Sequence, residues 1–399
     1  MSEVFEIHDG QSPERAIIRV VGVGGGGCNT VNQMVEAGIE GVEFICSNTD
    51  RQHLDRSKAA NILQIGAAVT RGLGAGSDPE KGRAAAEEDR DRIRDVLEGT
   101  DMLFLTAGMG GGTGTGAAPV IAEIARELDI LTVAVVTKPF MFEGKKRNSA
   151  ATAGISELHR HVDSLILIPN EQLQRVLGDD ATMEECFRKA NDVLQNAVQG
   201  ISDLITRPGQ VNVDFADVST VMRSRGKAMM GLGRSSGDDR ALNAVEEALT
   251  SPLLDDIELT NAQGILVNVA CDHSLKMGEI NRIMGRVLEI ASDDVDLKFG
   301  TSLDESLDGE LRVTVVATGL GGSHQQAEHS ANVTPINRQH SPQQPAADVN
   351  GHPRHSSVEV PAVMRESGSR VAVGQDFHSS SIPDEEVLNI PAFLRNQAD

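Results

Sequence analysis

The sequence predicts a doubly wound, mostly parallel α/β sheet that leads through one long helix into a second, smaller α/β unit and then a polar tail. Three observations carry this expectation. Short β-branched runs alternate with helical patterns over residues 16–180, as in parallel strands joined by crossover helices. One unbroken helical pattern follows, and Arg207-Pro208-Gly209 stops it. From Gly321 onward apolar periodicity ends, and this stretch holds half of the 14 prolines and six of the 11 histidines.

Each element has its own warrant in chain order. Strands are expected at Ala16–Val23, Val42–Ser47, Asn61–Ile65, Asp101–Thr106, Ile130–Thr137 and Ser164–Pro169. Helical patterns lie around Asn29–Ala37, Pro79–Leu97, Ala117–Leu128 and Lys145–His161, and the long helix covers Met183–Ile205. The second unit is expected to contain strands near Lys227–Gly233, Ile265–Cys271, Val295–Thr301 and Leu311–Thr318, with helices Asp238–Thr250 and Lys276–Ile290. The resulting division is a flexible segment 1–15, a first domain 16–180, a central helix 181–206, a second domain 207–320, a disordered linker 321–382 and a terminal peptide 383–399. The linker is too polar to bury enough surface to offset its chain entropy.

Composition excludes several functions. With 36 Lys+Arg against 59 Asp+Glu the formal charge is −23, which argues against nucleic acid and against adsorption to anionic membranes. There is no Trp or Tyr and only 10 Phe, so stacking platforms for single strands are not expected. Cys28, Cys46, Cys186 and Cys271 show no CxxC spacing and read as buried thiols of a reducing compartment, not as a disulfide framework or metal site. No apolar run approaches the roughly 20 residues that span a bilayer, so a soluble cytoplasmic protein without membrane insertion is expected.

Two glycine clusters carry the chemistry. The first strand runs into Gly22-Val23-Gly24-Gly25-Gly26-Gly27-Cys28-Asn29 before a helix, and free N–H groups at a helix start are suited to phosphate. Gly22, Gly24 and Gly27 satisfy GxGxxG, and Asp50 closes the second strand, so this cluster alone favours a dinucleotide. The second cluster, Gly108-Met109-Gly110-Gly111-Gly112-Thr113-Gly114-Thr115-Gly116, changes the balance, because two cradles at neighbouring strand ends suit a polyphosphate held from two sides. No GxxxxGK[ST] is present, so no P-loop lysine clamps the phosphates.

GGGTGTG at Gly110–Gly116 resembles the signature of the tubulin superfamily, and roughly Ile17–Leu320 is similar to its bacterial FtsZ branch. Supporting motifs occur in order: Asn48-Thr49-Asp50, Gly72–Glu80, Thr137–Phe140 with Phe142–Arg147, and Asn212–Asp217. The resemblance implies a GTPase domain, a second α+β domain with a mixed sheet, and head-to-tail polymerisation into the bacterial division ring at mid-cell. It also implies roles for particular residues. Gly25, Gly26, Gly27, Cys28, Asn29, Gly110, Gly111, Gly112, Thr113, Gly114 and Thr115 would cradle the phosphates of GTP or GDP, and Ala75 and Gly76 would reach the γ-phosphate. Glu143 would accept from the ribose while Arg147 approaches a phosphate; the alternative for such an i,i+4 pair is an ordinary surface ion pair. Phe187 would stack on the base, and either Asn191 or Asp192 would read its edge; a carboxylate suits guanine better. Mg²⁺ would be bound through the phosphates, with no dedicated protein metal site. Asp214 and Asp217, with Asn212 alongside, would serve hydrolysis on a neighbour's nucleotide, although an Asp pair here is also an ordinary helix cap. Departures are small: Ser77-Asp78 stands where Ala-Asn is more common, and Cys28 where a further Gly is common.

The tail ends in Asp384-Glu385-Glu386-Val387-Leu388-Asn389-Ile390-Pro391-Ala392-Phe393-Leu394-Arg395. Asp384, Leu388, Ile390, Pro391, Phe393 and Leu394 match the family's docking peptide for membrane-tethering and regulatory division proteins, a short segment suited to a groove.

Overall fold

The computed structural model describes residues 16–320 except 179, 208, 225, 252 and 255–260. The expectations for 1–15, for the linker and for the terminal peptide with Asp384, Leu388, Ile390, Pro391, Phe393 and Leu394 lie outside the described residues. The first half runs β1 (Ile18–Val23), α1 (Gly24–Glu36), β2 (Glu43–Asn48), α2 (Arg51–Leu54), β3 (Asn61–Gln64), α3 (Ala67–Thr70), α4 (Pro79–Glu88), α5 (Arg90–Leu97), β4 (Met102–Gly108), α6 (Thr113–Glu127), β5 (Leu131–Lys138), α7 (Lys145–Leu158), β6 (Ser164–Pro169) and α8 (Asn170–Leu177). Then come α9 (Met183–Thr206), α10 (Phe215–Met222), β7 (Gly226–Ser236), α11 (Arg240–Leu249), β8 (Gly264–Cys271), α12 (Met277–Ile290), β9 (Asp296–Leu303) and β10 (Glu310–Leu320).

One ten-stranded sheet has the order β3-β2-β1-β4-β5-β6-β7-β10-β8-β9. The first six strands are parallel throughout, and their order reverses direction between β1 and β4. Such a switch point opens a crevice at the carboxyl ends of the strands. β10 pairs antiparallel with β7 and β8, while β9 is parallel to β8, so the second part is mixed. β7 joins β6 through only three residue pairs, Ser164 with Gly226 to Ile166 with Ala228, and makes the sheet continuous.

Three differences from the sequence expectation have local causes. α1 begins at Gly24, not Asn29, so the glycine cluster is itself the first helical turn; glycine's poor helix propensity hid this. The expected helix Pro79–Leu97 breaks at Asp89, whose carboxylate accepts from Gly66 N–H at 2.7 Å and pairs with Arg92 at 2.7 Å. The short helices α2, α3, α8 and α10 are not expected from the sequence, because segments of four to eight residues carry too little apolar periodicity.

α9 starts with a capping box in which Thr182 and Glu185 satisfy each other's backbone N–H groups. Its buried side chains, Cys186, Ala190, Val193, Leu194, Ala197, Val198, Ile201 and Leu204, recur at three- and four-residue intervals and form one apolar stripe. That stripe packs in a core shared by Val133, Val135 and Ile166 of the first half and by Met230, Leu266 and Val316 of the second. The long helix is therefore a core element common to both halves. α6 lies in a separate core with β4 and β5, and α11 and α12 cover β8 and β10.

The carboxyl end of α9 carries a buried charge cluster. Arg312 Nη2 lies 3.3 Å from both Asp203 and Asp304, and Arg207 Nε is 3.1 Å from Asp203. Burial pushes the Asp203 carboxyl up to about 6 despite the two guanidinium groups beside it. Folding then raises proton affinity at this site, so its contribution to stability falls as pH rises from about 4 to about 6. In Asp203→Asn that decline is absent. The unfolding free energy of the variant relative to wild type should rise by up to about 3 kcal/mol over the interval, read by urea titrations at several pH values. Parallel pH profiles would place the titration elsewhere.

Candidate functional site

The two glycine loops meet at the switch point between β1 and β4. Val23 precedes α1 without a side-chain cap, so the N–H groups of the first turn have no side-chain partner there. Gly25, Gly26 and Asn29 are exposed, whereas Gly27 and Cys28 are buried. A Cβ on Gly27 would run into the Thr106 carbonyl of β4, and one on Gly24 would lie 2.8 Å from Gly114 N. The two loops thus touch backbone to backbone.

A third loop, residues 72–78, closes the cradle. Four of its residues adopt positive φ: Gly72, Gly74, Gly76 and, without the freedom of glycine, Ser77 at 61°. Ala75 is buried against the second loop, where a Cβ on Gly112 would stand 2.8 Å from its methyl group and 2.9 Å from Asp78 N. Gly76 and Gly111 have open space in front of them, as has Gly25 apart from His53 at 3.9 Å. The cradle therefore separates into glycines that permit loop-to-loop packing and glycines that face the space for a ligand. The threonine hydroxyls are already engaged: Thr113 bonds to Thr49 at 2.6 Å, and Thr115 accepts from Gly110 N–H at 2.8 Å. Asp50 and Asp78 cap α2 and α4 through their Oδ1 atoms.

The other side of the crevice is built by the β5–α7 connection and the start of α9. Glu143 accepts from Phe140 N–H at 2.9 Å and pairs with Arg147 at 3.0 Å, so the i,i+4 pair forms in the protein alone. Phe140 stacks on exposed Phe142 at 5.0 Å and meets Phe187 edge-on at 5.4 Å; Phe187 keeps 39 % of its surface exposed. Thr30 Oγ1 lies 3.1 Å from Gly26 O and 3.0 Å from Asn191 Oδ1, which ties Asn191 to the first glycine loop. Asp192 instead accepts from Gln33, further along α1, and borders a cavity of about 580 Å³ between α8, α9 and β7. Cys28 is buried beside Cys46, and this setting pushes its thiol up, so the residue offers the cradle only its backbone.

Sequence reasoning missed Asn170. It opens α8 at the carboxyl end of β6, is buried, and its Oδ1 has no partner among the described residues. Adjacent Glu171 accepts from Met141 N–H at 3.1 Å, placing this corner beside the Phe140–Glu143 turn. An asparagine directly after a strand was the available signal.

Asp214, Asp217 and Asn212 stand elsewhere. Asp214 caps α10 by accepting Asp217 N–H at 2.8 Å, Asp217 pairs with Lys298 at 3.0 Å, and Asn212 Oδ1 accepts from Gly209 N–H at 2.8 Å. Asp214 and Asn212 are exposed. Their loop follows the end of α9, whose 24 residues make a rod about 36 Å long, while Phe187 and Asn191 lie near its beginning.

With this geometry in hand, the comparisons agree. A model of the Tubulin/FtsZ family GTPase domain matches residues 17–178, and one of the FtsZ family C-terminal domain matches 226–321. The chain belongs to the tubulin/FtsZ family. It is 51% identical to the cell division protein FtsZ of Coxiella burnetii over 393 residues, covering 98% of this chain and 99% of that one. It is 50% identical to that of Pseudomonas aeruginosa over 400 residues, with 99% and 100% coverage. An FtsZ dimer from M. jannaschii superimposes with a TM-score of 0.73 at 43% identity, covering 77% of this chain and 88% of that one. The more distant CetZ2 from Haloferax volcanii, solved as a GTPγS-bound protofilament, shares the fold at 22% identity and a TM-score of 0.64, over 77% and 94% of the two chains. The first domain is thus a GTPase domain that binds guanine nucleotide, and the dinucleotide reading of GxGxxG falls away. Among the described residues no helix is long and apolar enough to cross a membrane.

The division of the glycines is testable. Gly112→Ala should lower thermal stability because its Cβ has no room, whereas Gly111→Leu should melt with wild type. The latter fills the open space and should weaken GDP binding by about tenfold or more, read by titration with a fluorescent GDP.

Proposed function

We propose that this protein is a cytoplasmic cell-division GTPase that assembles head to tail into filaments of the mid-cell ring, each subunit completing hydrolysis of its neighbour's GTP. One observation carries the reading: the cradle and the Asp214 loop lie at opposite ends of α9, too far apart to serve one nucleotide within one chain. A contact that brings one subunit's loop to another's cradle is heterologous and does not close, so it propagates as a filament.

Backbone N–H groups of Gly25–Asn29 and of Gly111–Thr115 hold the phosphates, with Ala75 and Gly76 at the γ-phosphate, while Gly110 N–H stays with Thr115 Oγ1. Glu143 turns from Arg147 to accept the ribose hydroxyls, which frees Arg147 for phosphate. Phe187 covers the base; Asn191, beside the cradle, reads its edge, with Asn170 supplying a further amide, and Asp192 stays with Gln33. Mg²⁺ would be held through the phosphate oxygens and would neutralise their charge. The neighbour's Asp214 orients and polarises the attacking water, Asp217 supports it electrostatically, and Asn212 contacts the nucleotide. The terminal cluster Leu388, Ile390, Phe393 and Leu394 docks membrane-tethering and regulatory proteins.

Specific GTPase activity should fall on dilution, and Asp214→Ala should bind GTP and polymerise yet lose about two or more orders of magnitude in turnover. A rate per subunit independent of concentration would refute the shared site. Deleting residues 384–399 should abolish recruitment to mid-cell while leaving GTP turnover intact.

A further inference from the structure

We infer that Thr301 is a positioning residue for hydrolysis, acting by holding the Asp214 loop in the shape offered to the neighbouring subunit; this rests on the shared-site reading above. β9 is one of the two edge strands of the sheet, so among the described residues one side of its backbone has no strand partner. The loop after α9 takes that place. Thr301 N–H donates to Val211 O at 2.9 Å, and Thr301 Oγ1 accepts from the N–H groups of both Gln210 and Val211, each at 2.9 Å. Thr301 is only 4 % exposed. Gly209 lies so close to the Thr301 carbonyl that a Cβ there would overlap it.

Side chains alternate along a strand, and the loop uses both faces of β9. On the face opposite Thr301, a Cβ on Gly300 would stand 2.7 Å from Val213, and Lys298 pairs with Asp217. The loop passes round the free edge between these anchors, and Asp214 follows directly after buried Val213. Asp214 and Asn212 themselves are exposed and bonded only within their own loop and cap. Their position is thus inherited from β9, and Thr301 is the side chain that receives two consecutive loop amides. Removing its acceptor frees the segment just ahead of the catalytic carboxylate, and small displacements at this point cost rate more than binding.

Thr301→Val keeps shape but not the acceptor; Thr301→Ser keeps the acceptor. The serine variant should turn over GTP within about twofold of wild type, and the valine variant about tenfold or more slowly, with monomer affinity for fluorescent GDP unchanged in both. Mixing Thr301→Val with Gly111→Leu, which has a blocked cradle and an intact loop, should restore turnover, because the defect lies in the loop presented and not in the nucleotide bound. Wild-type turnover in Thr301→Val, weakened GDP binding, or a slow mixture would each overturn the inference. Amide exchange on the wild-type protein decides even if the valine variant does not fold: Gln210 and Val211 should be protected, and fast exchange at both would remove the clamp. Asp214→Ala run in parallel separates the two failures, since wild-type turnover there defeats the shared site itself, whereas loss there beside a normal Thr301→Val defeats only the clamp.

Discussion

The close approach of α1 to β4 at the switch point is the constraint on which the rest of the site depends. Gly27 against the Thr106 carbonyl and Gly24 against Gly114 N leave no space for a side chain, and that intimacy places two helix starts side by side. The third loop is then fixed by Ala75 and Asp78 packing on Gly112. Phosphate-binding capacity follows from backbone geometry, with N–H groups aimed into one crevice.

This explains how a chain of charge −23 can hold a polyphosphate. Long-range electrostatics oppose the ligand, but a cradle of backbone dipoles acts over a few ångströms, where direct hydrogen bonds outweigh the screened field of distant carboxylates. Arg147 is the nearby cation, and in the protein alone Glu143 already holds it. In the proposed function, ligand and carboxylate compete for that guanidinium.

The second organising element is α9. Its apolar stripe is buried by strands from both halves, so it is a rigid spacer between the nucleotide cradle and the Asp214 loop. The charge cluster of Asp203, Arg207, Asp304 and Arg312 anchors its carboxyl end just before that loop leaves for the edge of β9. In the proposed shared site, this separation makes activity a property of the contact between subunits.

Much of this was legible in residue order alone. Alternating strands and helices, the two glycine clusters and the long helix with its stop signal are local patterns, and local sterics and periodicity decide them. The family resemblance followed from motifs spaced along the chain. Other features depended on contacts between distant segments. The helical first turn at Gly24 arises from packing on β4 against glycine's own propensity, and the break at Asp89 from a bond to Gly66. Asn191 and Asp192 are neighbours in sequence, yet Asn191 bonds to Thr30 beside the first glycine loop and Asp192 to Gln33 a turn further along α1. Asn170 gave no signal beyond its place after a strand. The role of Thr301 was invisible, because it exists only where an edge strand and a loop some 90 residues apart come together. Sequence determined the elements and the chemistry available to this protein; tertiary structure alone decided which backbone groups meet, because close approach is set by what packs on the far side of each glycine.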